Sequence, residues 1–374
     1  MSSVKAQNVK RRSVILSVIS DLSTDQRVHR IARTLCEAGW NVHVIGRNRH
    51  SSLKLSATDY TRERLPMRFQ KGKLMYMEFM LRLFFRLLFL KRATLTANDL
   101  DTLLPCYLVS TAKGVPLIYD SHELFTEVPE LIERPTTRKT WLKLEAFLFP
   151  KLKHVSVVSQ SIADIYKDKY KVPVRVIRNV PNRIQTQVNV ERENILLYQG
   201  ALNVGRGIDL MIDTMTLLPE WQLWIAGGGD IERELQQRAE QSPAKDRIKF
   251  WGRIPHENLS QITCQARIGF SLEEDLGLNY RYAAPNKIFD CIQHHIPVII
   301  SNLPEMALLI KQTQTGIILK ARNPQTLAQC VQLLNRDAKI YSYFVDNCER
   351  AAEYLCWEKE SLHLLEMYEK ANQT

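Results

Sequence analysis

Residues 271–300 read SLEEDLGLNYRYAAPNKIFDCIQHHIPVII. The stretch opens as the end of an apolar strand (IGFSL, 268–272) and passes through an acidic loop holding Glu273, Glu274 and Asp275. It then crosses a Tyr/Asn/Arg-rich segment to Pro285-Asn286-Lys287. Proline suits the first turn of a helix, so a helix is predicted to open there. The helix KIFDCIQHH closes before a second strand, IPVIIS. Carboxylates and a lysine are thus expected where a strand ends and a helix begins. Open α/β sheets bind anionic ligands at that place, outside the carboxyl ends of their strands.

The chain around this stretch has 374 residues, 45% of them hydrophobic and 24% charged. That describes a globular protein with apolar material for two cores of ordinary size. No run of about 18 uncharged apolar residues occurs, so no transmembrane helix is expected. The N-terminus, MSSVKAQNVKRRSVILSVIS, is basic and then apolar. Its short apolar run continues into a strand, turn and helix, so it reads as a core strand behind a basic leader rather than a signal peptide. The seven cysteines are scattered, odd in number and without CxxC spacing. Neither a disulfide frame nor a zinc site follows, and a reducing cytoplasm is the expected compartment. Residues 1–92 hold nineteen Lys and Arg against six Asp and Glu, within a net charge of +11. Such a basic first half suits an anionic partner: a phosphorylated acceptor, lipid head groups at a membrane face, or nucleic acid. No zinc-finger or RNA-recognition signature favours the last, so no nucleic acid is expected.

From the N-terminus, SVILSVIS (13–20) reads as a buried strand and Asp21–Asp25 as a polar turn. Val28, Ile31, Ala32 and Leu35 fall on one helical face, Gly39 suits the helix end, and NVHVIG (41–46) is the next strand. This β-α-β opening predicts a Rossmann-like domain. Residues 47–73 give no clear pattern. Residues 74–90 predict a helix whose Glu78, Arg82 and Arg86 form one polar stripe. It reads either as a crossover helix buried against the sheet or as a membrane-contacting helix with its arginines at the head groups. Trp141, Leu144, Phe147 and Leu148 mark an apolar helix face, and strands follow at 154–159 and 174–178. A polar linker is placed at 183–192, giving a first domain over 1–182. A second β-α-β series follows over 193–350, and then a helical segment, 351–374, expected to pack back toward the first domain.

Several residues are candidates for chemistry. Gly200-Ala-Leu-Asn-Val-Gly205-Arg206-Gly207 is a glycine-rich strand-to-helix loop. Backbone N–H groups and Arg206 there would cradle a diphosphate, although three glycines serve equally as turn residues. It is neither a P-loop nor a GxGxxG fingerprint. A second glycine run, Gly227-Gly228-Gly229, ends the strand 222–226. Lys287 at a helix start opposes the helix dipole unless an anion lies between them, which favours a phosphate ligand over a solvated lysine. Asp290 would accept ribose hydroxyls, or simply suit its first-turn position. Glu273 and Glu274 would grip sugar hydroxyls or balance developing positive charge; a solvated acidic loop, or the acid and base of a hydrolase, are the other readings. His122, between Asp120 and Glu123 at a strand tip, would bond a substrate hydroxyl, act as acid or base, or merely pack. Neither GxSxG nor HExxH is present, so serine hydrolases and zincins find no support.

Taken in order, SDLSTDQRVHRIARTLCEAGWNVHVIG, ANDLDTL, LIYDSHELFTEVPEL, VSVVSQSIADIY, VIRNVPN, YQGALNVGRGID, WIAGGGD, FWGRIPHENL, NYRYAAPNKIFDCIQHHIPVIISNLPE and CWEKE resemble the retaining, nucleotide-sugar-dependent glycosyltransferases of family 4. The resemblance runs across nearly the whole chain. It implies the α/β GT-B architecture: two facing Rossmann-like domains with a cleft between them. It also implies a nucleotide-diphosphate sugar as co-substrate, a glycan or lipid-linked acceptor, and neither metal nor cofactor. In its terms Arg206 and Lys287 contact the diphosphate, with Gly200 and Gly207 in the phosphate loop and Gly227 and Gly229 near the nucleotide. Glu273 or Glu274 meets the donor sugar, Asp290 the ribose, and His122 the donor sugar from the first domain. Asp21, Arg27, Asp99 and Glu123 border the acceptor side of the cleft. Three departures stand out. Glu274 and Asp290 are further apart than the family's E-x7-E spacing, Ala201 replaces an arginine common after the loop glycine, and His294-His295 replace small residues. The imidazoles are expected to crowd the site or to contact the donor.

The expected activity is hexosyl transfer with retention, performed in the cytoplasm or peripherally at the membrane face, as in polysaccharide biosynthesis. The rivals are a GT-B-type nucleotide-sugar epimerase and a non-catalytic nucleotide-sugar- or membrane-binding module derived from such an enzyme.

Overall fold

The computed structural model describes residues 12–23, 25–50, 52, 54–185 and 192–373. The basic leader up to residue 11 and residues 186–191 of the expected linker lie outside the described residues. The chain forms two compact units. One comprises the chain up to Thr126, then Glu130–Ile177 and Ser361–Thr374; the other comprises Glu127–Pro129 and Arg178–Glu360.

In the first unit β1 (Ser13–Ser17), α1 (Gln26–Glu37) and β2 (Asn41–Arg47) form the expected opening. The Asp25 carboxylate caps α1 by accepting from the Val28 N–H at 3.0 Å, one of the donors a helix start leaves open. The unit continues with β3 (Thr61–Leu65), α2 (Gly72–Phe89), β4 (Thr94–Asn98), α3 (Leu100–Lys113) and β5 (Leu117–Ser121). It then runs through α4 (Pro129–Ile132), α5 (Pro135–Leu148), β6 (His154–Val157), α6 (Gln160–Tyr170) and β7 (Val174–Val176). The seven strands make one parallel sheet in the order β3-β2-β1-β4-β5-β6-β7.

Two expectations are corrected here, and the buried crossover reading of the helix over 74–90 is supported. Residues 47–73 contain a strand, β3, whose TRERL sequence reads as loop because it is an edge strand with a single buried residue, Leu65. On α5, Trp141 and Leu148 are buried as expected, but Phe147 faces out with the Lys151 ammonium over its ring, and Glu145 takes the buried position. Glu145 is held there by the Tyr170 hydroxyl (2.5 Å) and the Lys169 ammonium (2.8 Å). On α2, Met75, Phe79, Leu83 and Leu87 are buried, each contributing about 1.5–3 kcal/mol. The arginines of its polar stripe are engaged within the unit. Arg82 pairs with Glu78, and Arg86 grips Glu63 of β3 through two nitrogens at 2.7 and 2.9 Å.

The second unit begins with β8 (Ile195–Gln199), α7 (Ile208–Thr214), β9 (Gln222–Ala226), α8 (Glu232–Glu240), β10 (Ile248–Gly252) and α9 (His256–Thr263). It goes on through β11 (Ile268–Ser271), α10 (Leu278–Arg281), α11 (Asn286–Gln293), β12 (Val298–Ser301), α12 (Pro304–Thr313) and β13 (Gly316–Leu319). It closes with α13 (Pro324–Arg336), α14 (Ala338–Ala352) and the start of α15 (Trp357–Ala371). Six parallel strands lie in the order β10-β9-β8-β11-β12-β13. Alternate residues of β8 feed two cores, Leu196 and Tyr198 on one face and Ile195 and Leu197 on the other, as a sheet covered on both sides requires.

From Ser361 onward α15 belongs to the first unit. The Tyr368 hydroxyl bonds Thr96 of β4 at 2.8 Å, its ring meets Trp40 edge-on, and Asn372 accepts from Thr94 at 2.8 Å. All seven cysteines are free thiols. Among the described residues no helix is long and apolar enough to cross a membrane.

Candidate functional site

Each sheet reverses its strand order once, between β1 and β4 in the first unit and between β8 and β11 in the second. Loops leaving neighbouring strands in opposite directions open a crevice there, at the carboxyl ends. The candidate residues gather at these two places.

In the second unit, Gly200 follows β8, Glu273 follows β11, and Lys287 stands in the first turn of α11 behind Pro285. The Lys287 ammonium donates to Glu273 Oε1 at 2.5 Å and lies 4.5 Å from the centre of the Tyr198 ring. Glu273 also accepts from Ser271 Oγ at 2.7 Å and from Arg206 Nη1 at 3.5 Å. Arg206 in turn stacks over the Tyr280 ring at 4.5 Å. Burial alone would raise the Glu273 carboxyl; the Lys287 and Arg206 charges override it and hold it below the usual carboxylate range. Two cations therefore share one carboxylate, which leaves the cluster net positive.

Glycines bring the backbone in around this cluster. Gly227, at φ +151°, lies so close to the β8 loop that a Cβ there would stand 1.8 Å from the Gly200 carbonyl oxygen. At Gly207 it would stand 2.2 Å from that of Leu272, and Gly229 is similarly pressed against Leu202. A Cβ on Gly200 would meet the Lys287 side chain at 3.5 Å. Asp290, one turn beyond Lys287, accepts from Gln199 Nε2 at 2.9 Å, and Gln199 is held by Thr263.

The two acidic candidates separate. Glu273 is buried in the cluster, whereas Glu274 pairs at the surface with Arg322 at 3.1 Å. Arg322 was not visible as a site residue. It lies 49 residues beyond Glu273 with no motif around it, yet it donates to the Leu272 and Glu273 carbonyl oxygens and to Ser301 Oγ, fixing the acidic loop from behind. The two histidines are placed differently. His294 bonds Ser260 of α9 and its own helix through Asp290 O, both at 2.7 Å. It thus faces α9 and not Lys287. His295 takes a left-handed φ of +53°, the conformation that favours the small residue it replaces.

In the first unit, Asp99 follows β4, Asp120 and Ser121 end β5, and His122 follows them. Both His122 nitrogens are engaged, Nδ1 with Asp99 at 3.2 Å and Nε2 with Asp120 at 3.1 Å. Burial would lower the imidazole; Asp99 and Asp120 outweigh it and raise it to about 9. Asp120 is itself gripped by Arg27 through Nε at 2.8 Å and Nη2 at 2.7 Å, and burial is overridden, leaving it well below the carboxylate range. Held by an aspartate on each nitrogen, His122 is favoured in its protonated form. Arg27 is buried against Asp120. Asp21 stands apart from these, receiving Arg64 at 2.7 Å, Ser52 at 2.8 Å and Ser23. The Glu123 carbonyl oxygen accepts from Ser121 Oγ at 2.7 Å. Among the described residues no group of three or more His, Cys, Asp or Glu is placed to hold a metal ion.

Two Rossmann-like units, each with a charged crevice at its switch point, define the GT-B class of fold. Residues 25–188 match the Glycosyltransferase Family 4 model and residues 193–337 the Glycosyl transferases group 1 model, and the chain belongs to these glycosyltransferases. An uncharacterized glycosyltransferase of Methanocaldococcus jannaschii is 22% identical over 241 residues, 58% of this chain and 60% of that relative's length. Among solved structures, sucrose-phosphate synthase from Thermosynechococcus elongatus aligns with a TM-score of 0.78 at 17% identity, covering 96% of this chain and 99% of that one. Anabaena HepE in complex with UDP-glucose aligns at 0.73 and 13%, covering 96% and 99%. At these identities the structural likeness shows the fold alone.

Proposed function

We propose that the protein transfers a hexosyl group from a nucleoside-diphosphate sugar to a hydroxyl of a glycan or lipid-linked acceptor, with retention at the anomeric carbon. The observation that carries this reading is the Lys287–Glu273–Arg206 cluster enclosed by glycine backbone at the switch point of the second unit. In the reaction the bond from the anomeric carbon to the diphosphate oxygen breaks, and one to the acceptor oxygen forms. The acceptor proton passes to the departing diphosphate, on which negative charge grows as its bond breaks. Two pre-positioned cations beside a helix N-terminus stabilise that charge without reorganising. Asp290 would take the ribose, and Glu273 would orient both cations while facing the sugar. His122, favoured as an imidazolium, would contribute positive charge from the first unit. No metal is invoked. The binding of UDP-glucose by HepE favours a uridine donor.

UDP-, GDP- and ADP-sugars tested for thermal stabilisation, on the native chain and on Lys287→Ala, decide the donor. A shift with one nucleotide family that Lys287→Ala removes supports the reading; no shift with any donor ends it. Product anomers resolved by NMR then test retention.

A peripheral membrane location belongs to the same reading and has its own observation. The outer side of α2 presents Leu74, Met77, Leu81, Phe85, Leu88 and Phe89, with Met77 65% and Phe89 79% exposed. Cationic Lys71, Lys73, Lys91 and Arg92 flank the helix ends. An apolar stripe between basic ends suits an anionic bilayer surface. Sedimentation with anionic vesicles at low salt tests it, and a protein that stays in the supernatant rules it out.

A further inference from the structure

Among the described residues, two arginines at the carboxyl end of β2 form no ion pair; Asp101 and Asp21 act on Arg47 only through space. Arg47, the last residue of the strand, is 9% exposed, and among the described residues its one side-chain hydrogen bond goes to the Gln70 carbonyl oxygen at 3.3 Å. Arg49, two residues on, bonds Ser52 through its backbone alone: its N–H donates to Ser52 Oγ and its carbonyl oxygen accepts from the Ser52 N–H, both at 3.0 Å. The Nε of each is buried and bonded to nothing, and among the described residues neither forms an ion pair. Burying a cation without a partner is costly, so proteins place such groups where something else supplies the opposite charge.

The nearby carboxylates do not pair with them. Asp21 is already committed to Arg64, Ser23 and Ser52. Asp101, in the first turn of α3, is 2% exposed, and its Oδ1 has no hydrogen-bond partner. Burial, with Asp99 and Glu123 close by, raises its carboxyl well above the ordinary range, against the pull of His122 and Arg47. Burial and the neighbouring Arg49 charge in turn lower Arg47. The β4 end adds Asn98, whose Oδ1 is likewise buried and unbonded. Arg47 ends β2 and Asn98 ends β4, either side of β1, and Arg49 and Asp101 follow them at the end of the sheet where such folds take ligands.

We propose that Arg47 and Arg49, beside Asn98 and Asp101, form a phosphoryl-binding site in the first unit, which holds a phosphate or diphosphate of the acceptor. Two arginines match the charge of a phosphate, about −1.5 to −2, where a single carboxylate would leave positive charge over. Guanidinium nitrogens also bond phosphate oxygens in charge-assisted pairs, among the stronger hydrogen bonds in proteins. The word acceptor rests on the glycosyltransferase reading; the phosphoryl site does not.

The test titrates the full-length protein, with UDP present to occupy the other cationic cluster, against inorganic phosphate, a hexose 6-phosphate, the unphosphorylated hexose, and a short isoprenyl diphosphate. Native protein is expected to bind the phosphorylated probes and not the plain hexose. Arg49→Gln, at a half-buried position, should weaken that binding roughly tenfold to a hundredfold while UDP binding and melting temperature hold. Arg47→Lys, which keeps the charge but loses Nε, should weaken it too. Preference for the hexose phosphate marks a soluble acceptor, and preference for the isoprenyl diphosphate a lipid-linked one. Binding that is equal in native and Arg49→Gln protein overturns the site, as does the absence of binding by any phosphorylated probe. Arg49-dependent phosphate binding without UDP binding would leave this site standing and remove the donor reading instead.

Discussion

Lys287 and Glu273, fourteen residues apart, form a buried ion pair of 2.5 Å that joins the start of α11 to the end of β11. Removing one member of such a pair strands the other charge in the interior. Lys287→Ala is therefore expected to lower stability by about 3–5 kcal/mol, and Lys287→Met with Glu273→Gln by distinctly less. Urea unfolding of the two variants reads this directly. Because the Glu273 carboxyl is depressed in the folded state, it contributes stability above its unfolded value, near 4.3, that is lost as the pH falls further. Equal melting of Lys287→Ala and native protein would contradict the assignment.

His122 gives the opposite pH dependence. Its imidazole is raised from an ordinary 6.5 to about 9. The stability it contributes is fully present below pH 6.5 and is lost as the pH rises through 9. An NMR titration of the ring protons is expected to show a midpoint near 9. In Asp120→Asn that midpoint should fall toward 6.5, since Nε2 then faces an amide. A native midpoint at 6.5 would mean that His122 is free to act as a base.

Burial raises the Asp101 carboxyl well above its ordinary range, so over a span above about pH 4 the folded state keeps a proton that the unfolded state releases. Stability then falls as the pH rises from there, and Asp101→Asn removes the dependence. The variant is expected to gain stability relative to native protein at pH 7 and to lose that gain by pH 4. Denaturant melts at the two pH values check it; an advantage equal at both would contradict the burial account.

Gly227→Ala forces a methyl to within 1.8 Å of the Gly200 carbonyl oxygen at a φ of +151°. The loops after β8 and β9 must then part. The expected cost is at least about 1–3 kcal/mol, with nucleotide binding weakened beyond what the stability loss explains. Calorimetric titration with UDP beside a thermal melt separates the two effects.

Where the sequence was readable, one physical signal dominated. Strands buried on both faces, such as SVILS and QLWIA, are continuously apolar, and α1 keeps its apolar residues on one stripe. β3 was missed because TRERL earns its place through partners far along the chain: Glu63 holds Arg86 and His43, and Arg64 holds Asp21. α5 was misoriented because apolar periodicity assigns Glu145 to solvent and Phe147 to the core, while Tyr170 and Lys169 reward the reverse. In the site, residue types and their places at strand ends were legible. What was not legible was pairing: that Glu273 rather than Glu274 meets Lys287, that Arg322 anchors their loop, and that His122 spends both nitrogens on aspartates.

The return of α15 to the first unit has a consequence for biogenesis. The hydroxyls of Thr94 and Thr96 on β4 bond Asn372 and Tyr368. A ribosome finishes Ile177 and must still produce the second unit, Arg178–Glu360, before those residues exist. At about 5–20 residues per second, those roughly 180 residues take on the order of ten to forty seconds. During that interval the first unit waits with Trp40 and the β4 threonines uncovered, and the second unit, though later in the chain, is the first whose residues are all present.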